Sequence, residues 1–238
     1  MAESHRYSRA GRRVLSALSP TWAWADRRKS SLDKKKKTAF IRAMNARYLL
    51  VASALTALFW ISSCNDISEL QVPLLRWTPL SVTALVAQCL LGWYLMSRCT
   101  EVFWAFYQDA SDKLSPEKQT GSSLAWNERV RLALNSYLEL ILNFAMLYAM
   151  LPACSWQAGY KIVRFTDALS YSATTITTSG GGGFAASHWL LQALTAYEIA
   201  CGLILLVVCF TIYVGHALAE FEPGWNREPS NKDGGESP

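Results

Sequence analysis

The chain has 238 residues, of which 51% are hydrophobic, 12% aromatic and 17% charged, and its formal net charge is +5. That balance excludes an intrinsically disordered chain, which needs few apolar residues, and departs from an ordinary soluble domain. The six cysteines show no metal-ligand spacing, and the apolar segments hold no His/Glu metal motif, Ser–Lys pair or paired aspartates, so no enzyme is expected.

Residues 1–47 read as a basic arm. Ala10–Leu18 has some apolar spacing, Trp22 and Trp24 are placed to rest at headgroup level, and Lys34–Arg47 reads as a basic interfacial helix. No cleavable signal is expected, because the first apolar run starts late and lacks a small-residue cleavage site. Four apolar segments follow, at about Tyr48–Cys64, Pro79–Ser97, Leu132–Pro152 and Trp189–Val214. Each approaches the ~20 residues a helix needs to cross ~30 Å of hydrocarbon.

The first two segments form a peripheral pair, residues 48–112. Its end, Cys99–Ala110, reads as an amphipathic helix lying along the membrane surface as a cuff. Neither segment repeats Arg or Lys like a voltage sensor, so lipid, tension or an unidentified regulatory partner stays open as the gating influence. Residues 113–128, with Pro116, Gly121, Ser122 and Ser123, read as a linker, and residues 219–238 as a disordered tail.

Charge orients the spans. Arg12, Arg13, Arg27, Arg28, Lys29, Lys34–Lys37, Arg42 and Arg47 precede the first. Arg98, Lys113, Lys118, Arg129 and Arg131 fall between the second and third, against Arg76 alone, beside Asp66 and Glu69, after the first. The positive-inside rule then puts both termini in the cytoplasm of a plasma or inner membrane. Beside a span the basic run meets anionic lipid rather than nucleic acid. Cys89, Cys99, Cys201 and Cys209 read as packing residues, while Cys64 and Cys154 share the outer face, where a disulfide and two free thiols are both open.

The last pair of spans, within residues 129–218, carries the chemistry. Asp167 is placed to cap a short helix over Ala168–Thr177, and the C-terminal end of that helix aims partial negative charge at a cation. Thr174, Thr175, Thr177 and Thr178 supply hydroxyls. Ser179 and four glycines, Gly180, Gly181, Gly182 and Gly183, follow, and glycine allows the left-handed angles that turn carbonyls inward. This order suits a re-entrant loop whose carbonyls replace a cation's hydration shell, in a ring of identical subunits. Leu206, Phe210 and Val214 are candidates for an apolar gate, with ordinary packing equally consistent. Glu139 and Asn143, one turn apart, favour a helix–helix hydrogen bond over ion contact, and His188 reads as a surface residue.

The run Asp167–Thr178, followed by Ser179 and Gly180–Gly183, resembles the pore helix and filter of the tetrameric potassium-channel superfamily, whose filter commonly reads Thr-Val-Gly-Tyr-Gly-Asp. Glu198-x-x-x-Gly202 is similar to the Glu and hinge glycine of bacterial two-span pore domains, and the likeness covers roughly Arg129–Gly215. Together with the four apolar segments it implies an all-α membrane protein with four transmembrane helices and a re-entrant pore helix and filter loop between the last two. It implies a homotetramer binding potassium or sodium, with no other cofactor, on the carbonyls of Thr178, Ser179, Gly180 and Gly181. Glu198 would brace the pore helix through a Thr hydroxyl and Gly202 would hinge the inner helix; a protonated packing Glu and a merely close-packed Gly stay open.

Three departures matter. Ser179 stands where Val is usual, Gly181 where Tyr or Phe is usual, and Gly183 where Asp is usual. Without the aromatic strut or that Asp, a glycine run loses more entropy when ordered and holds its diameter less firmly. The expectation is a passive monovalent-cation channel with weak potassium selectivity. The alternative is a non-conducting membrane subunit that keeps a vestigial pore as a structural or signalling partner.

Overall fold

The computed structural model describes residues 16–17, 19–64, 82–114, 124–157, 164–180 and 183–206, together with 211, 214, 215 and 218. Among them six α-helices follow in chain order: α1 (Pro20–Ser30), α2 (Lys34–Cys64), α3 (Val82–Leu114), α4 (Trp126–Ala149), α5 (Phe165–Ile176) and α6 (Trp189–Leu203). The described residues contain no strand, only an isolated antiparallel bridge between Trp156 and Ala186. The chain is thus all-helical in its described parts.

Helix α1 starts where its residues dictate. Pro20 fits a first turn that needs no N–H, Ser19 Oγ accepts from the Trp22 N–H at 3.2 Å, and Arg27, Arg28 and Lys29 face the negative end of the helix. The arm is docked. Ser19 Oγ donates to the Ser97 carbonyl of α3 at 2.8 Å, the Thr21 and Ser97 hydroxyls lie 2.8 Å apart, and Trp22 and Ala25 are buried. Trp22 is therefore an internal residue, whereas Trp24 is exposed.

Three helices are long and apolar enough to cross a membrane: Lys35–Ile61, Asn127–Ala149 and Trp189–Leu206. Their most apolar stretches are 6%, 56% and 28% buried, so α4 is the central pillar and α2 turns outward. Leu50, Leu58 and Ile61 of α2 are exposed, as a lipid-facing helix requires. Asn45 ties α2 to α4 by donating to Ser136 Oγ at 2.8 Å and accepting from Asn135 Nδ2 at 3.1 Å.

Helix α3, expected as the second span, is not among the three. Its 33 residues run unbroken through the predicted surface cuff, with Arg98, Glu101, Gln108, Asp109 and Asp112 in the second half. One face of this half packs inward, while Tyr107 is exposed. Leu95, Cys99 and Val102 enter the main core with Leu140, Phe144 and Tyr148 of α4, and a smaller cluster joins Ala110 to Ala133.

The charges are absorbed inside as well. Arg98 is buried, donating from Nε and Nη2 to Glu139 Oε1 at 3.0 and 2.8 Å, and lying against Glu101. Arg129, also buried, donates from Nη1 to both oxygens of Asp109, at 2.6 and 2.8 Å. Both arginines belong to the basic set that the orientation argument places between the second and third spans. Each is instead neutralised within the bundle, since a buried charge needs a partner.

Candidate functional site

Helix α5 sits between α4 and α6 and is held at both ends. It begins at Phe165, three residues earlier than expected, so Asp167 occupies its third position rather than the cap. The carboxylate reaches back to accept from the Arg164 N–H at 2.9 Å, satisfying one otherwise free donor.

Its C-terminal end closes as a paired cap. The Ser179 N–H donates to the Thr174 carbonyl and the Thr178 N–H to the Thr175 carbonyl, each at 2.9 Å. This Schellman geometry requires a left-handed residue, normally Gly or Asn. Here that residue is Thr178, at φ 58°. A β-branched residue in this region is strained, and such strain persists only where surrounding contacts hold it. Gly180 (φ 98°) and Gly183 (φ 89°) are also left-handed, while Ser179 is not. Gly181 and Gly182 lie outside the described residues.

The hydroxyls are committed as donors. Thr174 Oγ1 donates to the Ser170 carbonyl and Thr177 Oγ1 to the Ala173 carbonyl, both at 2.8 Å, and the Thr177 and Ser179 hydroxyls lie 2.9 Å apart. A hydroxyl so committed keeps acceptor lone pairs. Residues Thr177–Gly180 are exposed, so those lone pairs face an open side of the subunit, whereas Thr175 is buried.

Behind the loop lies the strongest constellation. Glu198 of α6 is fully buried and accepts from Tyr148 Oη of α4 at 2.6 Å and from Ser172 Oγ of α5. One carboxylate therefore ties three helices. The brace expected from a Thr hydroxyl is made by Ser172 and Tyr148. Tyr148 was not singled out in the sequence; the signal for it is that a lone carboxylate on an apolar span must find donors on its neighbours.

Four aromatic rings cover this network. Tyr171 meets Tyr148 and Trp156 edge-on at 4.8 and 5.0 Å, and Phe184 lies 6.2 Å from both Trp156 and Tyr171. Spacings of 4.5–7 Å are the favourable range for such pairs. Phe184 follows the glycine run and packs against Trp156 and Tyr171. The sequence shows no aromatic residue within the run, and Phe184 stands one residue beyond it.

The outer limb of the loop is clipped by backbone. The Gln157 N–H donates to Ala185 O at 2.9 Å, and the Ser187 and His188 N–H groups donate to Ser155 O at 3.1 and 3.2 Å. His188 caps α6, its Nδ1 accepting from the Leu190 N–H at 3.2 Å.

Gly202 packs against the C-terminal turn of α5, where an added Cβ would come 2.5 Å from the Ile176 carbonyl oxygen. Just beyond, the helix loosens to π-type hydrogen bonding over 204–206, a local widening frequent at functional sites. Of the gate candidates, Leu206 is exposed, Val214 is half-buried, and Phe210 lies outside the described residues. Cys154 is an exposed free thiol, and the Cys64 side chain lies outside the described residues. Glu139 makes the expected contact between helices, but to Arg98; Asn143 beside it is buried. Among the described residues no group of His, Cys, Asp or Glu is arranged to hold a metal ion.

The fold and site thus define an all-helical chain with three helices able to span a bilayer and a short helix wedged between the last two. No protein-family model matches the chain, and neither a curated protein nor a solved structure does.

Proposed function

We propose that four copies of this chain assemble around a central axis as a passive pore for monovalent cations. Each copy contributes one α5 helix and the loop Thr178–Gly183. Helix α3 then serves as the fourth span, its polar residues neutralised against α4, and both termini face the cytoplasm. The observation that carries the reading is the mounting of the loop. One end is the α5 cap with left-handed Thr178, the other is the Ser155–Gln157 clip, and Glu198 anchors the helix from behind.

That mounting fits cation transfer. The helix dipole favours positive charge beyond Ile176, and the exposed Thr177–Gly180 segment presents oxygens with free lone pairs. An added Cβ at Gly180 would meet nothing within 4 Å, so the residue borders open space in a single subunit, as a residue lining a shared axis must. At the glycines the loop offers backbone alone. The permeant ion sheds part of its hydration onto the carbonyls of Thr178, Ser179, Gly180 and Gly181.

Gly180→Ala tests the assignment. At φ 98° alanine is strained for backbone reasons alone, so the loop must change while packing elsewhere does not. Conductance of the purified protein in planar bilayers is expected to fall at least about tenfold, with tetramer and thermal midpoint retained; a factor of ten matches ~1.4 kcal/mol, within the ~1–3 kcal/mol range of such strain. Unchanged conductance would remove Gly180 from the conduction path.

A further inference from the structure

Glu139 and Glu198 are both buried within spans, yet they are held differently. Glu139 meets the Arg98 guanidinium. Glu198 has no ion pair among the described residues, and hydroxyls alone reach it. The titratable groups that interact with it are Tyr137 and Tyr148 of α4, Cys99 of α3 and Cys201 of α6, phenols and thiols rather than cations. On the α5 side stand Ser172 and Tyr171, the latter against the Tyr148 ring. Helix α2, which reaches α5 through Phe59 against Phe165, adds no charged group among the described residues. An ionised carboxylate buried without a cation is costly, and such a group takes up a proton instead.

Counting protons leads to the same answer from geometry. The Ser172 hydroxyl lies 2.9 Å from the Ile141 carbonyl oxygen of α4 and also within hydrogen-bond distance of Glu198 Oε1. Two hydrogen bonds along this row of three oxygens need two protons. The carbonyl has none and Ser172 has one. Tyr148 does not supply the second, because its hydroxyl points to Oε2, the other oxygen of the carboxyl, at 2.6 Å. The bond between Ser172 and Glu198 can run in either direction. Only a protonated Glu198, donating to Ser172, leaves Ser172 free to donate to Ile141.

We infer that Glu198 is a proton-operated latch: as a neutral acid it donates to Ser172, which donates to the Ile141 carbonyl, and on losing its proton to the solution it releases one of the two bonds. In the ionised form Ser172 turns its single proton to the carboxylate, and the Ile141 carbonyl then faces a bare oxygen. The hydroxyl tie from α5 to α4 is lost, so alkaline solution loosens what acid holds. Helix α5 ends at Ile176, ahead of the loop, so the latch bears on how firmly the start of the loop is mounted. The proton count concerns a single chain and does not depend on whether the pore conducts.

The test is infrared difference spectroscopy of the full chain in lipid bilayers, wild type against Glu198→Gln, with hydrogen exchange on the same samples. At neutral pH the difference is expected to contain the stretch of a protonated carboxylic acid that the variant lacks. Ser172→Ala should keep that band and shift it, because the acid loses its acceptor. The pH is then raised until the band disappears. Protection of residues 165–176, corrected for intrinsic exchange, should fall about fivefold in wild type, the factor that loss of one hydrogen bond implies. In Glu198→Gln, which has no such proton to lose, protection should stay within about twofold. Absence of the acid band in wild type would show an ionised carboxylate and overturn the latch. A band that persists until the protein unfolds would overturn it as well, and so would equal loss of protection in the two proteins. Should Glu198→Gln fail to fold, the shifted band in Ser172→Ala identifies the same carboxyl, and an unshifted one would overturn the pairing.

Discussion

Gly202 of α6 lies against the carbonyl of Ile176 so closely that a single methyl group would stand 2.5 Å from its oxygen and 2.8 Å from its Cγ1. The inner helix therefore meets the end of α5 through the absence of a side chain. Ile176 is the last residue of α5, two before Thr178, so the contact lies where the loop begins. Sequence alone left two roles open for this glycine, hinge or close packing, and the geometry supplies the packing role.

Gly202→Ala follows directly. One of the two surfaces must shift, and overpacking of this kind costs about 1–3 kcal/mol. The thermal midpoint of the purified protein should fall by several degrees. Gly92→Ala is the matched control: there the added Cβ would meet only Met150 Cε at 3.6 Å, and alanine favours the helix. A Gly202→Ala protein as stable as wild type, with altered conductance alone, would restore the hinge.

Tyr148→Phe isolates the carboxylate network. Removing Oη leaves the fully buried Glu198 with one donor, Ser172, and an unsatisfied buried acceptor costs about 1–3 kcal/mol. In a double-mutant cycle with Glu198→Gln, the two losses should be non-additive by about 0.5–3 kcal/mol, measured by thermal or chemical unfolding in detergent. Strict additivity would mean that the contact contributes nothing of its own.

Phe184→Ala probes the aromatic floor. Phe184 touches Trp156 and Tyr171, and the truncation removes both contacts just after the glycine run. Hydrogen exchange of the peptide spanning residues 179–188 should quicken about tenfold, while α4 keeps its protection. Equal exchange in variant and wild type would show that the backbone clip to Ser155 suffices alone.

Much of the architecture is legible in the sequence because apolar length is a strong signal. The segments around α2, α4 and α6, and the short helix ahead of the glycine run, all fall near the predicted places. Arg98 shows where that signal fails. On hydropathy it ends a span and counts toward the cytoplasmic charge, yet it is buried in the bundle, where Glu139, 41 residues away, supplies its countercharge. A window average has no access to a partner on another helix.

The site was legible to a similar depth. Glu198, Asp167 and the Thr cluster announce themselves by type and spacing, but their partners do not. Ser172 and Tyr148 are ordinary residues until folding brings them to one carboxylate from positions 26 and 50 residues away. The docking of α1 is illegible for the same reason. Its purchase on Ser97 depends on hydroxyl contacts that no periodicity encodes.

The most direct test of the account is the reversal potential of purified, tetrameric protein in planar bilayers, with potassium on one side, sodium on the other and an impermeant anion throughout. The account predicts a cation current that reverses near zero, because a backbone-only glycine run discriminates weakly between the two ions. A reversal close to the potassium equilibrium value would contradict the weak selectivity. No current from a folded tetramer would contradict the pore itself.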